Sequence, residues 1–133
     1  MAKVVVDTCV WSEVFRRKVP DKMIEGKLVE LLRAMDAVVL GAIRQELLSG
    51  ISDQNKFLDI KGRMSVLPDS ILITADYELA AEYANACRRK GIQGSPVDFL
   101  ICAYAARHGC EIFSVDRDFA RYAQVLPISM YQM

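Results

Sequence analysis

The stretch Lys3-Val4-Val5-Val6-Asp7-Thr8 decides the fold of this chain. Three β-branched residues in a row form a short, continuous apolar run, which predicts a strand buried on both faces. Asp7 follows at the carboxyl end of that strand, where ligands bind in open α/β sheets. The stretch predicts a functional carboxylate there. Asp7 could also do no more than share the capping of the next helix, for which Thr8 is the predicted N-cap.

The composition fits one folded domain, residues 1–133. Of the 133 residues, 53% are hydrophobic, which excludes disorder and is enough for a substantial core. The apolar runs are far too short for a membrane span, and the N-terminus does not have the pattern of a signal peptide. We therefore expect no membrane partner.

The four cysteines and the single histidine do not form a metal-binding pattern. No two cysteines have C-x-x-C spacing, which argues against a zinc site. Each cysteine has apolar neighbours, as is typical of buried thiols in a reducing compartment, so the sequence predicts a cytoplasmic location. The cysteines are Cys9, Cys87, Cys102 and Cys110.

Short apolar runs alternate with helical patterns along the chain. Runs at 37–41 and 112–115 predict two further strands, and a short terminal strand is predicted at 127–131. This alternation is typical of an α/β fold with a parallel sheet. From apolar spacings of three and four residues, helices are predicted at 8–17, 23–35, 42–50, 53–67, 76–90 and 98–108, with a last one up to Val125.

Four acids occupy comparable places in these elements. Asp7 and Asp116 follow predicted strands, while Glu46 and Asp98 lie in the first turns of predicted helices. Glu46 could be only a favourable contact with the helix dipole, and Asp98 only an N-cap. In a parallel sheet, however, all four would converge on one crevice at the carboxyl ends of the strands.

A cluster of four carboxylates repels itself and is stable only if it is protonated or holds cations. Oxygen ligands without His or Cys select Mg²⁺ or Mn²⁺. Such ions can activate water and stabilise both oxygens in phosphodiester cleavage. The pattern therefore predicts a magnesium or manganese site with nuclease chemistry.

The charge balance permits a nucleic-acid partner without requiring one. The chain has 17 basic and 17 acidic residues, so its net charge is zero. If four acids bind metal, 17 basic residues face 13 acidic ones elsewhere, a balance of +4.

Four segments carry a resemblance to the PIN-domain ribonucleases. They are Val4-Val5-Val6-Asp7-Thr8, Ile43-Arg44-Gln45-Glu46-Leu47, Asp98-Phe99-Leu100-Ile101-Cys102-Ala103 and Ser114-Val115-Asp116-Arg117-Asp118-Phe119. The length and the lack of an added domain resemble the VapC toxins of bacterial toxin–antitoxin pairs. This resemblance implies a Mg²⁺- or Mn²⁺-dependent endoribonuclease with a five-stranded parallel sheet flanked by helices. It also implies an RNA substrate, a homodimer and a cognate VapB-like antitoxin.

The resemblance also implies roles for individual residues. The metal-binding and catalytic acids are Asp7, Glu46, Asp98 and Asp116. Asp7 and Asp98 would be the more direct ligands, and Glu46 and Asp116 would act partly through water. Three residues would have supporting roles: Thr8, Ser114, which stands where the family usually has Thr, and Asp118, a possible substitute for Asp116.

An apolar stripe on the first two predicted helices has two interpretations. It could help form the antitoxin groove, since helix-in-groove recognition uses anchors at such spacing, or it could pack in the core. The stripe consists of Val14, Phe15, Ile24, Leu28 and Leu31.

Two other functional classes compete with this interpretation. A haloacid-dehalogenase-like phosphatase needs a second Asp two residues after the first, and Cys9 stands at that position. A non-catalytic PIN-like module that binds RNA or protein stays open, because all four acids could be present without turnover.

Overall fold

The computed structural model describes residues 2–133, and its centre is a sheet of five parallel strands. The strands are Val4–Val6 (β1), Ala37–Leu40 (β2), Asp69–Ser70 (β3), Glu111–Phe113 (β4) and Ser129–Met130 (β5). Their order is β3-β2-β1-β4-β5, with Val5 of β1 opposite Val38 on one side and Ile112 on the other. The predicted α/β fold with a central parallel sheet of five strands is confirmed.

Seven helices connect and flank the strands. They are Thr8–Arg16 (α1), Lys22–Arg33 (α2), Gly41–Ser49 (α3), Gln54–Met64 (α4), Thr74–Arg89 (α5), Pro96–His108 (α6) and Asp118–Tyr122 (α7). The indole Nε1 of Trp11 donates to the Val6 carbonyl at 3.1 Å and ties α1 to the strand it follows. No helix within residues 2–133 is long and apolar enough to cross a membrane.

The strand order places a switch point beside β1. The chain moves from β1 to β2 and β3 on one side, and later adds β4 and β5 on the other. At such a reversal the connections leave the neighbouring strands in opposite directions and open a crevice at the carboxyl ends. Asp7 and Ser114 directly follow the two strands that border this crevice.

Two predicted helix starts are wrong. The N-cap of α1 is Asp7 and not Thr8, because the Asp7 carboxylate accepts the Thr8 N–H. Asp98 is not the N-cap of α6, since Ser95 caps that helix and Pro96 occupies its first turn, where the missing N–H costs nothing. Both acids therefore lie within two residues of a helix start, as expected, but in different positions.

The stripe on the first two helices divides between core and surface. Leu28 and Leu31 are buried, whereas Val14, Phe15 and Ile24 are half-buried and pack against the core. Core packing is therefore the role of the first two, and a partner could contact only the latter three.

Candidate functional site

Asp7 is the centre of the site, and its carboxylate is held by three donors. It is 4% exposed. Oδ1 accepts the Thr8 N–H at 2.8 Å, and Oδ2 accepts the Ser114 hydroxyl at 2.8 Å and the Cys9 thiol at 3.2 Å. Because these donors come from the start of α1 and the end of β4, the carboxylate is fixed at the switch point.

Burial raises the pKa of Asp7 above its ordinary value. Its three hydrogen bonds lower the pKa again, because they favour the charged form, and the charge of Glu46 raises it. The net upward direction means that the ionised carboxylate is under-stabilised in this fold.

Ser114 connects two of the predicted acids. Its hydroxyl donates to Asp7 and accepts the Asp116 N–H at 3.0 Å, while Asp116 Oδ1 accepts the Asp118 N–H at 2.9 Å. Asp118 faces Arg121 at 3.8 Å. The resulting chain of contacts orders the loop between β4 and α7 around the edge of the site.

Asp98 lies in the first turn of α6 and is half-buried. Its N–H donates to the Ser95 hydroxyl, and its Oδ2 accepts the Tyr122 hydroxyl at 2.6 Å. Burial raises the pKa of Asp98, the Tyr122 hydrogen bond lowers it, and the charges of Asp7 and Asp116 raise it. The net direction is again upward, so Asp98 and Asp7 disfavour each other's charge.

Glu46 is exposed on α3, and its charge acts on Asp7. Among residues 2–133, its carboxylate makes neither a hydrogen bond nor an ion pair. Its neighbour Arg44 is different, since the guanidinium binds Asp69 and the carbonyls of Met64 and Leu67. Arg44 therefore anchors the helix that carries Glu46 to the loop before β3.

The four acids are close enough to affect one another's charge, but their side chains are not close enough to form a ready metal-binding site. Pairwise charge effects join Asp7 to Glu46 and Asp98, and Asp98 to Asp116. In the described part of the chain, no three His, Cys, Asp or Glu side chains are close enough to hold a metal ion. No Lys or Arg of residues 2–133 forms an ion pair with any of the four.

This donor set fits a hard divalent cation by its chemistry. All four groups are carboxylates, the ligand type that Mg²⁺ and Mn²⁺ prefer. The two most buried acids, Asp7 and Asp98, have raised pKa values and form no ion pair with a Lys or Arg in the part of the chain that the structure describes, so a bound cation would supply the missing charge.

Sequence reasoning missed two residues of the site. Cys9 was interpreted as a buried hydrophobe, but it is half-buried and its thiol contacts Asp7 and Ser114. Burial raises the pKa of this thiol to about 11, so it is a neutral donor. Tyr122 carries no local signal, because it lies 24 residues from the acid it binds. The hydroxyl of Thr8, predicted to support the site, is buried without a hydrogen-bond partner among the described residues.

Comparisons with known proteins identify the family from the sequence. The family described as PIN domain matches residues 4–125. "VapC ribonuclease Mb1587" of Mycobacterium bovis and "Ribonuclease VapC11" of Mycobacterium tuberculosis are each 31% identical over 124 residues, 92% of both chains.

Solved structures share the fold at lower identity. FitAcB from Neisseria gonorrhoeae superposes with a TM-score of 0.78 at 17% identity, covering 97% of this chain and 96% of that one. DNA-bound VapBC from Salmonella typhimurium superposes with a TM-score of 0.74 at 18% identity, covering 98% of each chain. The chain belongs to the PIN domain family and is a VapC-type member of it.

Proposed function

We propose that this protein is a Mg²⁺- or Mn²⁺-dependent endoribonuclease that acts as the toxin of a type II toxin–antitoxin system. The observation that carries the proposal is the pair Asp7 and Asp98, two acids at the switch point whose pKa values are raised and which form no ion pair with a Lys or Arg of residues 2–133. The names of the two mycobacterial relatives support RNA as the substrate.

Asp7, Glu46, Asp98 and Asp116 are the residues that would hold the cation. When bound, a divalent cation supplies an acidified water and neutralises charge at the phosphate. The protein's own part is orientation: Ser114, Cys9 and the Thr8 N–H fix Asp7, and Ser114 links it to the loop of Asp116. Glu46 and Asp116 are exposed at the rim of the site.

RNA cleavage by the purified protein, freed of any partner, tests this proposal. We expect end-labelled RNA to be cut with Mg²⁺ or Mn²⁺ and to stay intact in excess chelator. Asp7→Asn and Asp98→Asn should abolish cleavage. Asp59→Asn, which changes an exposed acid on α4 paired with Arg63, is the matched control and should cut normally. Undiminished cleavage in chelator would reject the metal-dependent mechanism.

A second candidate function is a non-catalytic module that binds RNA or protein. The spacing of the acids favours it, because no three of them in residues 2–133 form a ready metal-binding group. RNA binding without any metal-dependent cleavage would select this function over the ribonuclease.

The proposed partners are a VapB-like antitoxin and a second copy of this chain. Support for the antitoxin comes from the structural neighbours, which are FitAcB and DNA-bound VapBC. We also propose a cytoplasmic location, since all four cysteines are free thiols. Co-expression with the antitoxin and chromatography of the complex test the partners.

A further inference from the structure

The hydroxyl of Tyr122 donates a hydrogen bond to the carboxylate of Asp98 inside the protein. We infer that Tyr122 is a positioning residue that fixes Asp98 for cation binding, and that Gly94 provides the space it needs. This inference rests on the proposed metal-dependent function.

The contact has the geometry of a strong hydrogen bond. Tyr122 is fully buried, and its hydroxyl donates to Asp98 Oδ2 at 2.6 Å. Distances of this length are typical of a hydroxyl bound to an ionised carboxylate. The ring cannot swing away, because it packs on Phe99 and Phe119 with centroid distances of 5.2 Å each. The donor is therefore held in place before any ligand arrives.

Gly94 allows the Tyr122 hydroxyl to reach Asp98 because glycine has no side chain to block it, and not because of its backbone conformation. A Cβ at Gly94 would lie 2.8 Å from Tyr122 Cζ and 2.9 Å from Cε1, and it would collide with the hydroxyl. The positive φ angles among the glycines are at Gly91 and Gly109, so Gly94 has no such backbone reason to be glycine. The Tyr122 hydroxyl occupies the space that a side chain at position 94 would need.

Tyr122 holds one oxygen of the Asp98 carboxylate. Its hydroxyl donates to Oδ2 at 2.6 Å, and the Ser95 hydroxyl is a further side-chain partner that lowers the pKa of Asp98. Asp7 differs, since three donors hold it. Loss of the Tyr122 hydroxyl would remove the short contact that orients the Asp98 carboxylate and leave the Ser95 hydroxyl as its remaining side-chain partner, whereas Asp7 would keep its three donors. Partners that orient metal ligands typically change metal affinity by about ten- to a hundredfold.

The test is Tyr122→Phe, which removes the hydroxyl and keeps the ring packing. Mn²⁺ binding is measured by calorimetry and by the electron paramagnetic resonance signal of free Mn²⁺, without RNA. We expect the dissociation constant to rise about tenfold, with kcat for RNA falling similarly and KM unchanged. Tyr131→Phe is the matched control, because its ring packs on Phe113 at 5.1 Å and its hydroxyl has no hydrogen bond in the described chain.

A second pair of variants tests the space at Gly94. Gly94→Ala should displace the Tyr122 hydroxyl and weaken Mn²⁺ binding to a similar extent. Gly62→Ala, in α4 with no atoms near the added methyl group, should bind Mn²⁺ as the wild type does.

The outcomes separate this inference from the proposed function. If Tyr122→Phe binds Mn²⁺ as tightly as the wild type, with or without a lower melting temperature, the hydroxyl only satisfies a buried contact and the inference is overturned. If the wild type itself neither binds Mn²⁺ nor cuts RNA, the proposed function fails instead.

Discussion

One fully buried acid, Asp76, and one half-buried acid, Asp98, lie at opposite ends of helix α6, and their surroundings treat the two charges in opposite ways. At the C-terminal end of α6, Asp76 of α5 is fully buried, and its Oδ1 lies 2.6 Å from Arg107 Nη1 and 3.5 Å from His108 Nε2. Its Oδ2 accepts the Ile73 N–H. Burial alone would raise the pKa of Asp76, but these partners outweigh it and hold the pKa below its ordinary value.

At the N-terminal end of the same helix, Asp98 forms no ion pair with a Lys or Arg of the described residues 2–133, and its pKa is raised. Burial therefore does not by itself distinguish a functional acid from a structural one. The distinction is whether the surrounding residues compensate the charge. Asp76 is compensated and joins α5 to α6, whereas the charge of Asp98 stays uncompensated, as is expected of the metal ligand proposed above.

The largest expected effect is on RNA cleavage when the carboxylate at either end of α6 is replaced by a neutral amide. Asp98→Asn should lower kcat for RNA by about a thousandfold, because it removes an electrostatic group of the proposed site. Asp76→Asn should leave kcat within about twofold, measured well below its melting temperature. Equal losses in the two folded variants would show that the two ends do not differ in function.

Equilibrium unfolding in denaturant should reverse that order. Asp76→Asn leaves Arg107 without its carboxylate and should cost about 2 kcal/mol, less than a fully enclosed pair because Arg107 is 31% exposed. Metal-free Asp98→Asn and Asp7→Asn should be as stable as the wild type or more stable, since each removes an uncompensated charge. A strong destabilisation of apo Asp98→Asn would make Asp98 mainly a structural residue.

How far the sequence predicts this molecule depends on how local each signal is. Strands β1, β2 and β4 are visible because buried parallel strands are continuous apolar runs. Strand β3 has no such signal, since Asp69 and Ser70 form a two-residue edge strand paired only with β2. The resemblance implied five strands, but the residue pattern could not place that one.

For the site, too, what the sequence predicts depends on how local each signal is. Asp7 follows a strand and Asp98 lies in the first turn of a helix, as the chain order reveals. The other two placements differ from the prediction: Asp116 lies three residues after β4, and Glu46 is the sixth residue of α3.

The partners that hold Asp7 and Asp98 are distant: Ser114 lies 107 residues from Asp7, and Tyr122 belongs to a five-residue helix whose aromatic side chains resemble ordinary core residues. Which acid is compensated is likewise invisible, because Asp76 meets Arg107 only when α5 packs on α6.

Added Mg²⁺ should raise the melting temperatures of variants at the two ends of α6 to different extents, and this difference should be smaller than the differences in cleavage and in unfolding free energy. A ligand that binds only the folded state stabilises it by mass action, by about 1.4 kcal/mol at ten times its dissociation constant. The melting temperature of the wild type and of Asp76→Asn should therefore rise on adding Mg²⁺, and that of Asp98→Asn should rise less. An unchanged wild-type melting temperature at millimolar Mg²⁺ would contradict the metal site.

The smallest expected effect is the pH dependence of metal-free stability, and its sign differs between the ends. For Asp98 the folded pKa lies above the unfolded value of about 3.8. As the pH rises through that interval, the unfolded chain releases its proton first, so the stability contributed by Asp98 falls. For Asp76 the folded pKa lies below the unfolded one, so its contribution is complete above the unfolded value and is lost as the pH falls.

Melting curves of the chelated protein from about pH 3 to pH 7 test both signs, since this range covers the carboxyl titrations. Relative to the wild type, Asp98→Asn should gain stability toward neutral pH, because the variant no longer pays for an uncompensated charge there. Asp76→Asn should lose most relative to the wild type at neutral pH and converge with it in acid. If the difference between Asp98→Asn and the wild type stays constant across the range, the charge of Asp98 is already compensated without metal, and the contrast between the two ends of α6 does not hold.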